Sequence, residues 1–323
     1  MQNRKKIVFA FLIVILLSCF FCACGKEKES GKKHYVAMIT KSTESAFWKS
    51  VFAGAGAAAT EYNLQLSIEG PKMEEDYESQ NAMIEHAVEN GAEVIIFSAV
   101  DYNANSDAIN EAAKKGVKIV VIDSDVNSDM VSCRISTDNY EAGKMAGGAA
   151  LNVEEEKINI GIVNFDINSA NGQQREQGFR DIAGQDSRVE QMSTINVVST
   201  TEDAREETVQ LLKEHPEINV IVTFNEWTSL GVGWAIRDLD MAEETHVVAF
   251  DSNVVSVGML ETGEVDALIV QNPYAMGYLG VESAYNLING ATLTDTVVDT
   301  ETTCVTRENM YEAKCQRMLF AFD

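Results

Sequence analysis

Basic residues are scarce in this chain of 323 residues, where 25 lysines and arginines stand against 50 aspartates and glutamates. The net charge is −25, and so acidic a surface repels nucleic acid, because binding there depends on neutralising phosphates. Prolines number only three, while 46% of the residues are hydrophobic. This composition indicates a packed globular body rather than disorder, and the chain is long enough for two lobes.

The motifs of enzyme and metal chemistry are also missing from the sequence. It has no GxSxG elbow, no HExxH pair and no P-loop, and no nucleophile stands beside an evident base. The run DSDVNSD lacks the spacing of a calcium loop, and the histidines are scattered, at His34, His86, His215 and His246. We therefore predict a protein that is not an enzyme and that uses neither a metal nor a cofactor.

Two glycines, Gly54 and Gly56, lie in a stretch that loosely matches a dinucleotide-binding fingerprint. That fingerprint needs its glycines between a strand and a helix, where phosphate meets the helix N-terminus. Here both glycines fall inside a helix that begins at Phe47, which favours close packing of that helix on a sheet.

Cysteines are few, and only Cys133, Cys304 and Cys315 lie beyond the N-terminal segment. This odd number excludes a complete intramolecular disulfide framework. Cys304 and Cys315 could pair across a short loop or remain as buried free thiols, and the sequence leaves both open.

The first 23 residues have the pattern of an export signal. Basic residues 4–6 precede an uncharged apolar run, Ile7–Phe21, which is short for a membrane span of about 20 residues. Cys24 follows, and residues 24–33 form a polar, flexible tether. This order resembles the lipobox of bacterial lipoproteins, in which the cysteine is acylated and becomes the new N-terminus.

We accordingly expect an extracytoplasmic protein held on the cell membrane by a lipid on Cys24. Two alternatives stay open: Cys19 is a second candidate for acylation, and the apolar run could be a signal-anchor helix. Removal of residues 1–23 leaves 22 basic against 50 acidic residues, a net charge of about −28. Such a charge suits a soluble monomer kept apart from its neighbours.

From Tyr35 onward, predicted strands and helices alternate. The strands are Tyr35–Thr40, Leu64–Glu69, Ala92–Phe97, Val117–Asp123, Ile158–Asn164, Val189–Val198, Asn219–Thr223, His246–Phe250 and Val265–Val270, with a final extended stretch Thr296–Thr306. The helices are Phe47–Tyr62, Asp76–Asn90, Ser106–Lys115, Tyr140–Leu151, Gln173–Ile182, Ala204–Glu214, Thr228–Leu239, Val254–Thr262 and Tyr274–Asn289. Apolar strands alternating with helices predict an α/β protein with doubly wound, Rossmann-like parallel sheets, and the restart after Asn139 predicts two of them.

Polar and aromatic residues stand directly after the predicted strands. In open parallel sheets, ligands bind outside the carboxyl ends of the strands, so these residues are the candidates for a binding site. In the first half they are Ser45, Phe47, Trp48, Ser98, Asp123 and Ser124; in the second they are Arg175, Asn225, Asp251 and Gln271. Carboxylates, amides and a guanidinium can bind ring hydroxyls, and aromatic faces can cover a pyranose or furanose, which together favour a sugar ligand.

Seven short motifs then occur in the order typical of one family. They are SAFWKSVFAGAGAAATEYN, VVIDSD, STDNYEAGKMAG, NGQQREQGF, VTFNEWTSLG, VVAFDSN and VDALIVQNPYAMGYLGVE. With them, residues 34–310 resemble the ribose/galactose-type (type I) periplasmic binding proteins, whose fold is shared with the effector domains of LacI-like repressors. A transcription factor is excluded, since the export signal occupies the place of a DNA-binding headpiece.

The resemblance implies a role for each candidate. Phe47 and Trp48 would be the aromatic pair beside the ligand, and Asp123 would accept hydrogen bonds from sugar hydroxyls. Arg175 would be the arginine of the second lobe, and the polar lining would be completed by Asn225, Asp251 and Gln271. Five of these residues could instead be structural, Asp123 and Asp251 as caps, Arg175 as a solvated residue and the aromatic pair as core.

The resemblance also implies two lobes joined by three hinge crossings, at Asp138/Asn139, at Gln271/Asn272 and near Asp299. The N-terminal lobe would comprise residues 34–137 and 273–298, and the C-terminal lobe residues 139–271 and 300–323. The implied partner is the permease of an ABC importer. A sensor protein that presents its ligand to a membrane histidine kinase or chemoreceptor is the alternative, because docking surfaces carry no motif.

Three departures from the family pattern concern the ligand. Ser45-Ala46 replaces an Asn-Pro pair, Ser124 replaces the arginine of ribose binders, and polar residues 199–201 replace an aromatic of the second lobe. Trp227 could supply the missing ring. These changes argue against simple ribose recognition, and the sequence does not identify the sugar.

Overall fold

The computed structural model describes residues 33–320. The predicted signal peptide, Cys19, Cys24 and nearly all of the tether lie outside the described residues. Within residues 33–320, no helix is both long enough and apolar enough to cross a membrane.

Twelve strands and ten helices make up the described part of the chain. The strands are β1 Tyr35–Ile39, β2 Gln65–Glu69, β3 Val94–Phe97, β4 Lys118–Ile122, β5 Val131–Ser136, β6 Ile158–Asn164, β7 Val189–Asn196, β8 Val220–Thr223, β9 His246–Phe250, β10 Ala267–Val270, β11 Val297–Asp299 and β12 Thr303–Thr306. The helices are α1 Ala46–Glu61, α2 Tyr77–Glu89, α3 Ser106–Lys114, α4 Asn139–Ala150, α5 Ala170–Ala183, α6 Thr201–Glu214, α7 Glu226–Leu239, α8 Val254–Thr262, α9 Pro273–Ile288 and α10 Ala313–Leu319.

The strands form two six-stranded sheets, each the centre of one lobe. Sheet one has the order β11-β5-β4-β3-β1-β2 and is parallel throughout. Sheet two has the order β12-β10-β9-β8-β6-β7 and is parallel except for β12, which runs antiparallel to β10. The predicted α/β class with two doubly wound lobes is thereby confirmed. We call the lobes built on these sheets lobe one and lobe two.

The chain passes between the two sheets three times. It leaves sheet one after β5, leaves sheet two after β10, and passes from β11 back to β12. Helix α9 accordingly packs on α1 and on sheet one, although it follows the last parallel strand of sheet two.

Each sheet is covered on both faces, which explains the unbroken apolar strands. The central strands β3, β4, β8 and β9 bury nearly every residue. In lobe one, α1 and α9 cover one face and α2 and α3 the other. In lobe two, α4 and α5 cover one face, and α6, α7, α8 and α10 cover the other.

Glycines allow two pairs of helices to approach at backbone distance. A Cβ atom on Gly54 would lie 2.1 Å from the Tyr274 carbonyl oxygen, and one on Gly277 would lie 1.9 Å from that of Val51, so α1 and α9 touch directly. Gly56 has nothing within 4 Å of a Cβ. The predicted helix-to-sheet packing is therefore wrong for these glycines: Gly54 serves helix-to-helix contact instead.

In lobe two, glycines allow the same close contact between helices α4 and α5. A Cβ on Gly143 would lie 2.0 Å from the Arg175 carbonyl oxygen, and one on Gly178 would lie 2.0 Å from that of Tyr140. The close approach brings Asn139, the first residue of α4, within hydrogen-bond distance of Arg175 in α5.

Three elements differ from the sequence prediction. Strand β5 was not predicted, since its residues VSCRIS mix polar and apolar types and only two are fully buried. The seven-residue α10 was not predicted either. The single extended stretch Thr296–Thr306 is two short strands, one in each sheet.

All three cysteines of the described chain are free thiols. Cys304 packs against the core cluster on one face of sheet two, and Cys315 belongs to the cluster on the other face. Burial raises the pKa of both thiols, that of Cys304 to about 11, so neither is a reactive thiolate near neutral pH.

Candidate functional site

The carboxyl ends of both sheets border one cavity between the lobes. Nine of the eleven candidate residues line it: Ser45, Phe47, Trp48, Asp123, Arg175, Asn225, Trp227, Asp251 and Gln271. The two sheets therefore bring together side chains that lie far apart in sequence.

Two aspartates occupy equivalent positions in the two lobes. Asp123 follows β4 and Asp251 follows β9, each the fourth strand of its lobe. Both have left-handed backbones, with φ of 56° and 66°, a conformation that aspartate tolerates better than most residues. Each backbone N–H is nevertheless used, donating to Ile135 and Ile269 of the neighbouring strands. The strand-to-loop turn thus directs each carboxylate to the cavity, and neither aspartate is a helix cap.

Arg175 is 1% exposed and held by neutral acceptors. Its Nε donates to Asn139 Oδ1 at 2.8 Å and its Nη1 to the Phe224 carbonyl at 2.6 Å. Its Nη2 donates to Gln271 Oε1 at 2.7 Å, and the guanidinium lies 4.9 Å from the ring centre of Phe250. Three of its five N–H groups are used in this way, which leaves two for a ligand.

Gln271 connects Arg175 to the hinge. Its Oε1 accepts from Arg175 and also from Thr137 Oγ1 at 2.8 Å, while its Nε2 donates to Asp251 Oδ1 at 2.7 Å. Thr137 precedes the first crossing between the lobes, and Gln271 stands at the second. The site and two hinge strands therefore share one hydrogen-bond network.

The aromatic pair at the start of α1 is both core and cavity wall. Phe47 and Trp48 meet edge to face, with ring centres 5.1 Å apart, and both belong to the core of lobe one. The Trp48 indole N–H donates to Glu74 Oε1 at 3.1 Å, which fixes the ring and the carboxylate together.

Ser199 fills the place where the sequence lacks an aromatic residue. Its hydroxyl donates to Glu74 Oε2 at 3.0 Å and accepts from Asn225 Nδ2 at 2.8 Å. Asn225 also caps α7, because its Oδ1 accepts the Thr228 N–H. This part of lobe two thus closes on lobe one through polar contacts. Trp227 is half-buried and borders both the cavity and an adjoining, larger groove.

Ser98 and Ser124 do not line the cavity. Ser98 Oγ donates to Asp123 Oδ2 at 3.0 Å and accepts the Ser124 N–H at 3.3 Å, so it holds the aspartate from behind. The Ser124 hydroxyl is buried without a hydrogen-bond partner within the described chain. These two candidates therefore support the cavity wall rather than form it.

Five residues that the sequence analysis did not select also line the cavity: Lys41, Glu74, Phe165, Asn171 and Glu226. Each lies in a loop or a first helical turn that follows a parallel strand. The same rule of strand ends, extended over the whole connecting segment, would have included them.

Hydrogen bonds between the lobes surround the cavity. Asn171 Nδ2 donates to Asp123 Oδ1 at 3.1 Å, and Lys41 Nζ donates to Ser169 Oγ at 2.8 Å. The carboxylate of Glu226 in lobe two accepts the N–H groups that begin α1 in lobe one, from Ala46 at 3.2 Å and from Phe47 at 2.9 Å. The lobes are thus closed on each other.

Burial perturbs the titration of the two central ionisable groups. Burial raises the pKa of Asp251 from 3.8 to about 7, and the negative charges of Glu226 and Asp123 raise it further. The Arg175 guanidinium and the hydrogen bond from the Gln271 amide lower this pKa and so oppose the effect of burial. Burial also lowers the pKa of Arg175, a shift that Asp251 and Asp123 counteract. A carboxyl group that titrates near neutral pH is typical of binding and catalytic sites.

Comparison with known proteins agrees with this geometry. The chain is 25% identical over 316 residues to the D-ribose/D-allose-binding protein of Pseudomonas aeruginosa, covering 93% of this chain and 97% of the relative. It is 24% identical to the ribose import binding protein of Bacillus subtilis, covering 92% and 97%. A carbohydrate transporter solute-binding protein from Agrobacterium radiobacter, solved with D-arabinose, superposes with a TM-score of 0.87 at 26% identity, covering 90% of this chain and all of that structure.

These relatives are binding proteins by name, and the resemblance seen in the sequence motifs is confirmed. The sequence-family model described as the periplasmic binding protein domain matches residues 36–292, most of the described chain. With two α/β lobes closed over a polar cavity at their strand ends, the chain belongs to the periplasmic binding protein domain family.

Proposed function

We propose that this chain captures a monosaccharide or a related sugar between its lobes and delivers it to an ABC importer without altering it chemically. The observation that carries the proposal is the convergence of Asp123 from lobe one and Arg175, Asn225 and Asp251 from lobe two on a single cavity. Such a mixture of acceptors and donors suits hydroxyl groups, which both donate and accept.

The polar and the aromatic parts of the cavity wall fit the hydroxyl groups and the apolar face of a sugar, respectively. The carboxylates of Asp123 and Asp251 would accept from hydroxyls, and the free N–H groups of Arg175 would donate to hydroxyl or ring oxygens. The rings of Phe47 and Trp48 would cover the apolar C–H face of the ligand.

Binding would be coupled to closure of the lobes. A ligand that contacts both lobes stabilises the closed form at the expense of the open one. Closure also excludes water, and polar contacts are stronger in a site of lower dielectric constant. Gln271, which contacts Arg175, Asp251 and Thr137, would connect ligand contact to the hinge.

Delivery and location rest on the relatives and on the N-terminal sequence. The Bacillus subtilis relative is named for import and the Agrobacterium radiobacter structure for transport, which supports an importer as the partner. A lipid on Cys24, followed by the polar tether, would keep the protein beside its permease.

A thermal-shift screen of the purified mature protein tests the ligand class. Monosaccharides, nucleosides and autoinducer-like furanosyl compounds would be tested, with amino acids as the contrasting class. A sugar at 100 times its Kd should stabilise the protein by about 2.7 kcal/mol, a shift of the melting temperature of roughly 4 °C. A shift with amino acids but with no sugar would contradict the proposal.

Two cellular measurements test anchoring and transport. The natural protein should incorporate labelled palmitate. This incorporation should be lost in Cys24→Ala and retained in Cys19→Ala; the reverse pattern would move the anchor to Cys19. Uptake of the identified sugar should fall in cells without this protein. Normal uptake with loss of sugar-induced gene expression would instead identify a sensor.

A further inference from the structure

The cavity between the lobes carries an excess of negative charge. Six ionisable side chains line it: the carboxylates of Glu74, Asp123, Glu226 and Asp251, and the cations Lys41 and Arg175. Each is at most 8% exposed. With all six ionised the lining has two more negative than positive charges, and protonation of Asp251, whose pKa is raised to about 7, still leaves one more negative than positive charge.

None of these six groups forms an ion pair within residues 33–320, whose ion pairs all lie elsewhere. The carboxylates are held by neutral donors, such as the indole of Trp48 and the hydroxyl of Ser199 on Glu74. Lys41 donates to a serine hydroxyl, and Arg175 donates to amide and backbone oxygens. Buried charges without opposite partners are costly, so a ligand that supplies the missing charge gains affinity.

This charge balance discriminates between classes of sugar. A sugar acid or sugar phosphate would add negative charge to a lining that already has an excess. A neutral sugar would leave that excess unchanged, whereas a sugar with one protonated amine would lower it by one charge.

Among the four carboxylates, Glu74 accepts from neutral side chains only, the indole of Trp48 and the hydroxyl of Ser199. Asp123 and Asp251 lie at the strand ends, where their charges attract the Arg175 guanidinium. Glu226 accepts N–H groups at the start of α1, where the helix dipole favours a negative charge. Glu74 has two neutral donors, and the neighbouring carboxylate of Glu75 adds negative potential.

We propose that the ligand is an amino sugar whose protonated amine is bound by Glu74. This inference rests on the proposed function, since it names the chemical class of the sugar that the same cavity takes. An ammonium group offers three donors, and its hydrogen bonds to a carboxylate are about twice as strong as those of a neutral hydroxyl. The indole of Trp48 and the hydroxyl of Ser199 hold the Glu74 carboxylate in place before the ligand arrives.

Calorimetric titration of the mature protein with matched pairs tests this inference. Glucosamine, galactosamine and mannosamine would each be compared with the parent hexose, at a pH of about 6.5, where the amine is mostly protonated. At least one amino sugar should bind about tenfold or more tightly than its parent, and glucuronic and galacturonic acids should bind more weakly than the corresponding hexoses.

Two variants assign the preference. Glu74→Gln keeps the size of the side chain and one of its two acceptor contacts, and it should reduce the ratio of amine to parent affinity to within about threefold of one. Glu78→Gln removes one exposed negative charge of the same lobe and should leave the ratio unchanged.

Three results would overturn the inference in different ways. Parent hexoses that bind as tightly as all three amines would refute the amino-sugar class while leaving sugar capture intact. A preference that survives Glu74→Gln would refute the assignment to Glu74. Absence of binding by every sugar, amine or neutral, would refute the proposed function itself.

Discussion

Replacing Asp251 with asparagine should remove a pH dependence from the stability of the ligand-free protein. Burial raises the pKa of Asp251 from 3.8 to about 7 in the folded state. Between these values the folded protein holds a proton that the unfolded chain has lost. The contribution of this group is therefore greatest below pH 4 and is lost as the pH rises through 7.

The magnitude follows from the width of that window. Above pH 5 the folded state holds up to one more proton than the unfolded chain, so Asp251 lowers the free energy of unfolding by about 2 kcal/mol between pH 5 and pH 7 and by about 3 kcal/mol between pH 5 and pH 8. Asparagine does not titrate, and its side-chain oxygen can still accept from Gln271 Nε2. The attraction between Asp251 and Arg175 is already included in the raised pKa, because it opposes the effect of burial, so its loss adds no separate pH dependence.

Urea unfolding of the mature protein at pH 5, 6, 7 and 8 measures this effect. The unfolding free energy of Asp251→Asn, relative to the natural protein, should increase by about 3 kcal/mol between pH 5 and pH 8. Asp107→Asn changes an exposed aspartate of α3 and should give a constant difference. An equally constant difference for Asp251→Asn would refute a raised pKa at this position.

Three further changes test the site and its supports. Arg175→Ala removes donors from the cavity and should weaken the binding of the sugar found in the screen about 5- to 150-fold by calorimetry; unchanged affinity would exclude Arg175 from the site. Gly143→Ala places a Cβ 2.0 Å from the Arg175 carbonyl oxygen and should lower stability by about 1–3 kcal/mol in urea, whereas Gly148→Ala, with nothing within 4 Å, should not. Glu226→Gln removes the charge that one lobe offers to the first N–H groups of α1, and it should weaken sugar binding about two- to fivefold; equal or tighter binding would contradict a role in closure.

The alternation of strands and helices could be predicted from the sequence because the central strands are buried on both faces. Strands such as Val94–Phe97 and Val220–Thr223 are unbroken apolar runs, and turns separate them from amphipathic helices. Strand β5 lies beside the short edge strand β11 and mixes residue types, so its pattern is weak. The assignment of the two final strands to different sheets depends on long-range pairing, which no local pattern contains.

The site could be predicted in part for a similar reason. A residue directly after a parallel strand, such as Asp123 or Asp251, is fixed at the sheet edge by the strand itself. Glu74 reaches the cavity from the middle of a loop, and Glu226 reaches it because the two lobes close on each other. Their positions depend on loop geometry and on contacts between the lobes, which strand ends alone do not determine.

A crystal structure of the mature protein with a bound sugar tests the central claim most directly. We expect the sugar in the cavity between the sheets, with hydrogen bonds to Asp123 from one lobe and to Arg175 and Asp251 from the other. A sugar bound to one lobe alone, or at a surface away from these three side chains, would contradict the account.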